Sequence, residues 1–136
     1  MTSSEPGVQK PDDLSRFPVL DKNALSHIMV VGNGQLGLLK ELMSMFENDQ
    51  QQRFDNLRKA VNSDDKEAIR DILHTIKGSA GTMGASRLAA AAGMLEAYGL
   101  GRLTATSAEE LFKLLMRAYN EARMALIEYI DKYSRG

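Results

Sequence analysis

The residue in this sequence best suited to chemistry is a single histidine, His74, in the segment 71–84. At about 100° per residue, the segment predicts a helix with one apolar stripe. The stripe consists of Ile69, Ile72, Leu73, Ile76, Ala80 and Met83. His74 points almost directly away from it, and Gly78, Gly81 and Ala85 lie close to His74 in angle. A neutral imidazole nitrogen, which is a competent nucleophile, is therefore predicted to stand exposed above a floor with almost no side chains.

The glycines beside His74 weaken the predicted helix. Each glycine in a helix interior costs about 0.8 to 1 kcal/mol relative to alanine. We interpret Gly78 and Gly81 as residues that lower the stability of the helix but leave room beside the imidazole. A partner as large as another protein could then approach the ring.

The residues around His74 resemble the histidine-phosphotransfer (HPt) domains of bacterial and plant phosphorelays. The resemblance rests on His74-x-x-Lys77-Gly78-Ser79-Ala80, on Gly84 after it, and on Leu95-Glu96 at the end of the next helix. In that family the histidine carries a phosphoryl group between aspartates of receiver domains. The resemblance implies that His74 is the phosphoacceptor, Lys77 the neighbouring cation and Gly78 the residue that leaves clearance. It covers about residues 20–133, and the first twenty or so residues have no counterpart.

The side chains themselves are consistent with this chemistry. A phosphoryl group on the imidazole needs positive partners, and Lys77, one turn further on, is a mobile point charge with three donors. Arg70, one turn before His74, can add charge. With Gly78, Gly81 and Ala85, Arg70 forms the predicted docking surface for the partner.

Several other kinds of site are missing from the sequence. There is no Walker loop, no dinucleotide fingerprint after a strand, and no acidic cluster placed to hold Mg²⁺. We therefore expect no cofactor and no autonomous kinase activity. The Mg²⁺ and the second nucleophile are expected on a response-regulator receiver domain, and the phosphoryl group is expected to originate from a hybrid sensor histidine kinase.

Composition limits the remaining possibilities. A chain of 136 residues with 43% hydrophobic content can bury the core of one domain. The net charge of -1 provides no excess of cations for nucleic acid or an anionic membrane. The absence of cysteine fits a reducing compartment, and no apolar run is long enough to span a membrane. We expect a cytoplasmic, monomeric protein.

The order of helices follows from caps and breaks. Residues 1–18 are polar and are predicted to form a flexible tail, followed by one domain over residues 19–134. Asp21 is a predicted cap for a short helix that ends before Gly32-Asn33-Gly34. A long amphipathic helix follows from Gln35, although the polar stretch 48–52 interrupts its apolar pattern.

Three more helices complete the predicted fold. The acidic pair Asp64-Asp65 begins the histidine helix, and Gly84 ends it, because an unbroken helix would put Arg87 into the apolar stripe. The next helix is predicted to end at residues 99–101, and the residues 107–110 form a capping box for the last one. Short connections then predict an all-α, antiparallel four-helix bundle with a short extra N-terminal helix.

Other interpretations of these motifs are weaker or remain open. Gly78, Gly81 and Gly84 do not follow a strand, as a phosphate-binding loop would require. Asp71-x-x-His74 has the spacing of half a metal site but lacks the remaining ligands, so no metal site is predicted. Two alternatives remain: a binding-only helical adaptor that sequesters a receiver or other signalling protein, and a fragment of a hybrid sensor kinase.

Overall fold

The structure, a computed structural model, describes residues 11–98 and 105–135. A short 3-10 helix is followed by five α-helices: Pro11–Arg16 (3-10), Lys22–Val31 (α1), Leu36–Asn62 (α2), Lys66–Thr82 (α3), Ser86–Tyr98 (α4) and Ala105–Arg135 (α5). These two ranges contain no strand. Within them, no helix combines the length and apolar character that crossing a membrane requires.

Helices α2 to α5 form a closed bundle of four. α2 packs against α3 and α5, and α4 packs against the same two helices. Near the end of α2, Arg58 bonds Glu109 near the start of α5 at 3.2 Å. Earlier in α2, Glu47 accepts a 2.6 Å bond from Arg123, which lies later in α5, so the two helices are antiparallel. The prediction of an all-α bundle with a short extra N-terminal helix is confirmed.

Each of the five α-helices contributes large side chains to one core. The fully buried apolar side chains of greatest volume are Leu25, Leu39, Leu73, Ile76, Leu88, Leu115 and Leu126. Burying one such side chain contributes about 1.5 to 3 kcal/mol. The polar stretch 48–52 does not break α2, and Gln50 within it is completely buried. Its Nε2 donates a 2.9 Å hydrogen bond to Oγ of Ser79, which links α2 to the histidine helix α3.

The N-terminal segment differs from the sequence prediction. The 3-10 helix packs against α4, and its residue Leu14 is buried. Arg87 of α4 donates a 2.9 Å hydrogen bond to the carbonyl oxygen of Phe17 and a 3.4 Å bond to Glu121 of α5. The 3-10 helix thus begins at Pro11, and Leu14 in it is packed, which lies within the predicted tail 1–18; an apolar and a cationic side chain hold this segment. Residues 1–10 lie outside the described part.

Most of the predicted helix ends agree with the structure. The side chain of Asp21 accepts a hydrogen bond from the backbone N–H of Asn23 at the start of α1, and Asp65 accepts one from Ala68 at the start of α3. The capping box at residues 107–110 is wrong, because α5 already includes Ala105 and the box lies inside the helix. The predicted end of α4 at residues 99–101 lies outside the described residues.

Gly84 forms the turn between α3 and α4 and docks the start of α1 there. Its φ of +74° is in the left-handed region, which favours glycine. Its carbonyl oxygen accepts a 2.6 Å hydrogen bond from the N–H of Asp21. A Cβ added to Gly84 would lie 2.9 Å from the Asp21 carbonyl oxygen and 3.3 Å from Cβ of Ala24. Gly84 is therefore required by both its backbone conformation and its lack of a side chain.

We expect Gly84→Ala to lower the free energy of unfolding by about 2 to 4 kcal/mol, since left-handed strain and overpacking add together. The matched control is Gly34→Ala. Gly34 also has a φ of +74°, but nothing lies within 4 Å of a Cβ added there, so only strain of about 1 to 2 kcal/mol is expected. Urea denaturation of both variants measures the difference. Equal losses in the two variants would contradict the contact with Asp21.

Candidate functional site

His74 stands on the outer surface of α3, beside α4. Its side chain is 73% exposed, and its Nδ1 lies 3.3 Å from Oε2 of Glu96 near the end of α4. The Glu96 side chain is only 23% exposed, so most of its surface is covered by the protein. The sequence-based prediction that His74 faces solvent agrees with the structure.

The contact with Glu96 makes the two ring nitrogens of His74 different. A carboxylate beside Nδ1 favours a proton on that nitrogen, and a neutral ring protonated at Nδ1 has its lone pair at Nε2. Since Nδ1 faces α4, Nε2 is the nitrogen that is available to an approaching group. Glu96 can also stabilise the positive charge that develops on the ring when Nε2 forms a new bond.

Lys77 lies one turn after His74 and crosses towards α4. A Cβ added to Gly93 of α4 would lie 3.5 Å from Cδ, 3.7 Å from Cε and 4.0 Å from Nζ of Lys77. The lysine side chain therefore runs over the backbone of Gly93. His74 against Glu96 and Lys77 against Gly93 follow the antiparallel order of α3 and α4, so both side chains border the same groove between the helices.

The glycine floor beside His74 is open. Gly78 and Gly81 are exposed residues inside α3, and nothing lies within 4 Å of a Cβ added at either position. Neither glycine has a positive φ, since Gly34 and Gly84 are the positive-φ glycines of the described residues. Their lack of a side chain is thus needed neither for the backbone conformation nor for packing within this chain.

The remaining two predicted docking residues behave differently. Arg70 is exposed on α3. Ala85 is completely buried in the core, so its predicted place on the exposed face is wrong. The angular calculation assumed a continuous helix, but α3 ends at Thr82 and the turn at Gly84 redirects the chain.

Reasoning from the sequence did not assign two residues of the site. The sequence motif includes Glu96 but assigns it no role, and it does not include Gly93. Both lie on α4, and their places opposite His74 and Lys77 depend on how far α4 is displaced along α3. A glycine three residues before a glutamate in a predicted helix indicates that the two lie on the same helix face. It does not identify the residues of the neighbouring helix that they face.

The arrangement offers a nucleophile, a carboxylate and a cation without a site for a metal. Among residues 11–98 and 105–135, no group of three or more His, Asp or Glu side chains could hold a metal ion. The chemistry that these side chains support is the reversible attachment of an electrophilic group to Nε2 of His74. The open floor leaves space for the macromolecule that delivers the group.

Comparisons with known proteins agree with this geometry. The family model described as Hpt domain matches residues 41–131, more than half of the chain. The crystal structure of histidine-containing phosphotransfer protein B from Pseudomonas aeruginosa PAO1 is similar, with a TM-score of 0.72 and 26% sequence identity over 85% of this chain and 97% of that chain. Among curated proteins, none matches. The chain belongs to the Hpt domain family, whose members are phosphotransfer carriers.

Proposed function

We propose that this protein relays a phosphoryl group through Nε2 of His74, to and from aspartates of response-regulator receiver domains. The observation that carries the proposal is the exposed imidazole with Nδ1 at 3.3 Å from Glu96, on a face floored by open glycines. Nucleophile, charge partner and approach path thereby coincide on one surface. Membership of the Hpt domain family supports the same reaction class.

The proposed step is an exchange of one bond for another. The lone pair on Nε2 attacks the phosphorus of the receiver's aspartyl phosphate, the N–P bond forms, and the P–O bond breaks. The electron pair of that bond leaves with the aspartate as its carboxylate. The ring keeps its proton on Nδ1 and becomes positively charged, and Glu96 offsets that charge. The reverse step returns the phosphoryl group to an aspartate.

The chain provides positioning and charge for this transfer, which are the main components of catalysis in phosphoryl transfer. We propose that Lys77 neutralises the phosphoryl oxygens and that Arg70 adds positive charge on the same helix. We expect the Mg²⁺ to be held by the receiver and to neutralise phosphoryl charge there. A hybrid sensor histidine kinase is the proposed source of the phosphoryl group. We propose that the protein acts as a monomer in the cytoplasm. The absence of cysteine fits a reducing compartment such as the cytoplasm.

The direct test is to mix the protein with a phosphorylated receiver domain in the presence of Mg²⁺. We expect label to appear on this chain as an adduct that is labile in acid and stable in base. A parallel sample with labelled ATP and Mg²⁺ but no other protein should stay unlabelled. If a receiver that binds this chain transfers no label to it, the protein is a binding-only adaptor and the proposal is wrong.

We expect Lys77→Ala to slow transfer more than it weakens docking. The lysine faces a group whose charge distribution changes during the reaction, and contacts that strengthen in the transition state affect the rate. Single-turnover transfer at saturating receiver should fall by about tenfold to a hundredfold. Receiver affinity should change by less than about threefold, because an exposed lysine contributes little to binding. A loss of affinity with an unchanged rate at saturation would contradict this role.

A further inference from the structure

We propose that Gly93 on α4 is a positioning residue. Because it has no side chain, the stem of Lys77 can lie across α4 at this point, which keeps the Lys77 ammonium beside the phosphoryl group on His74. The inference rests on the proposed function, because it concerns the cation that the transfer uses. It adds a residue from the neighbouring helix to the charge-handling part of the site. Gly93 touches neither the imidazole nor the phosphoryl group, and it acts through Lys77.

The contact is on the path of the lysine side chain. Cδ, Cε and Nζ of Lys77 all lie within 4.0 Å of the point where a Cβ of residue 93 would stand. The last three heavy atoms of the side chain therefore pass over one glycine. Gly93 lies one helical turn before Glu96 on α4, and Lys77 lies one turn after His74 on α3, so the lysine stem passes over α4 one turn from the pair His74 and Glu96.

No ion pair performs this positioning instead. Among the described residues, no carboxylate lies within salt-bridge distance of Lys77, although Glu96 is near enough to contact His74. Lysine has about 2 kcal/mol of rotamer entropy, so an unpaired lysine on a flat surface would sample many directions. The passage over Gly93 gives the exposed Lys77 side chain a surface that limits these directions.

The backbone of α4 gives no other reason for a glycine at this position. Gly93 lies inside the helix Ser86–Tyr98, and it is not among the glycines with positive φ. A glycine in a helix interior costs about 0.8 to 1 kcal/mol relative to alanine. A methyl group at this position would meet Lys77 at ordinary van der Waals distance, so the position limits side chains larger than that of alanine.

The size of a substituent at residue 93 should therefore control the position of Lys77. In Gly93→Ala the methyl group would be at ordinary van der Waals distance from Cδ, so the lysine can stay with small adjustments. In Gly93→Val the two Cγ methyl groups would occupy the space of the lysine stem. Valine has essentially one side-chain rotamer in a helix, so it cannot turn aside, and Lys77 must move into solvent.

The first measurement involves no receiver. The amine of each lysine is acetylated with limiting acetic anhydride, and the modification is measured by mass spectrometry relative to the exposed Lys113. We expect Gly93→Val to raise the relative reactivity of Lys77 by about twofold or more, since its stem is no longer packed on α4. The control, Gly37→Val, adds the same side chain to an exposed glycine of α2 with nothing within 4 Å, and should leave Lys77 unchanged.

The second measurement is a double-mutant cycle of single-turnover transfer from a phosphorylated receiver. We expect Gly93→Val to slow transfer by about tenfold. In a Lys77→Ala background the same substitution should change the rate by less than about twofold, since its effect acts through the lysine. Gly93→Ala should slow transfer less than Gly93→Val. A valine that merely obstructed the receiver would slow transfer equally in both backgrounds.

The two measurements have separate consequences. Unchanged reactivity of Lys77 in Gly93→Val overturns the positioning role, and so do equal losses of rate in the two backgrounds. If Lys77 reactivity rises but the parent protein accepts no phosphoryl group from any receiver, the contact is real and the proposed function is wrong. Thermal melts of all variants ensure that rates are compared between folded proteins.

Discussion

His74→Gln is expected to abolish phosphoryl transfer without unfolding the protein. Removing the nucleophile should lower the transfer rate by at least about a thousandfold. The side chain is 73% exposed, and substitutions at such positions usually change the free energy of unfolding by less than about 0.5 kcal/mol. The measurement is label transfer from a phosphorylated receiver, with circular dichroism to verify the helices.

The matched control is His27→Gln, which changes the second histidine of the sequence. His27 is exposed on α1, and no lysine follows it by one turn. It should accept no label, so the His27→Gln protein should match the parent. A folded His74→Gln protein that still becomes labelled at the parent's rate would show that the phosphoacceptor is another residue. Loss of transfer in His27→Gln but not in His74→Gln would show that His27 is the phosphoacceptor.

The face that His74 occupies could be predicted because helix periodicity fixes the relative directions of side chains on one continuous helix. The same rule placed Gly78 and Gly81 correctly, and both are exposed. It failed for Ala85, which is buried, because two residues, Met83 and Gly84, separate the end of α3 from that position. Helix periodicity relates the directions of two side chains only as far as one helix extends.

The contacts across two helices could not be predicted in this way. Glu96 reaches His74, and Gly93 underlies Lys77, because α3 and α4 pack in one particular register. Periodicity gives the face of each helix but not the displacement of one helix along the other. The sequence therefore indicated the proposed nucleophile and its proposed cation, while the residues that they face on α4 required the structure.

The N-terminal segment illustrates the limit of composition. Polar residues dominate residues 1–18, which predicts a tail, yet one buried leucine and one long-range bond are enough to hold part of it. Leu14 enters the core, and Arg87 reaches the Phe17 carbonyl from 70 residues further along the chain. The average composition of the segment does not reveal either interaction. The match to the Hpt family model begins at residue 41, so these interactions lie partly outside it.

The glycines of the motif have opposite roles, and substitution separates them. Gly84 is enclosed and has a positive φ, whereas a Cβ on Gly78 would meet only open space. We therefore expect Gly78→Leu to keep or raise the melting temperature, because the helix gains up to about 0.8 to 1 kcal/mol of propensity. Transfer should nevertheless fall by at least about a hundredfold, since the leucine fills the space that a receiver must enter to bring its aspartate to Nε2.

The control for Gly78→Leu is Gly37→Leu, which adds the same side chain at an exposed glycine of α2 with equally open surroundings. It should leave the protein folded and transfer at the parent's rate. Thermal melts and transfer assays on the same samples distinguish the possible roles of Gly78. A lower melting temperature for Gly78→Leu would mean that Gly78 serves packing, and an unchanged transfer rate would mean that the receiver does not approach over it. Higher stability together with blocked transfer is expected only if the glycine is kept for the partner rather than for the fold.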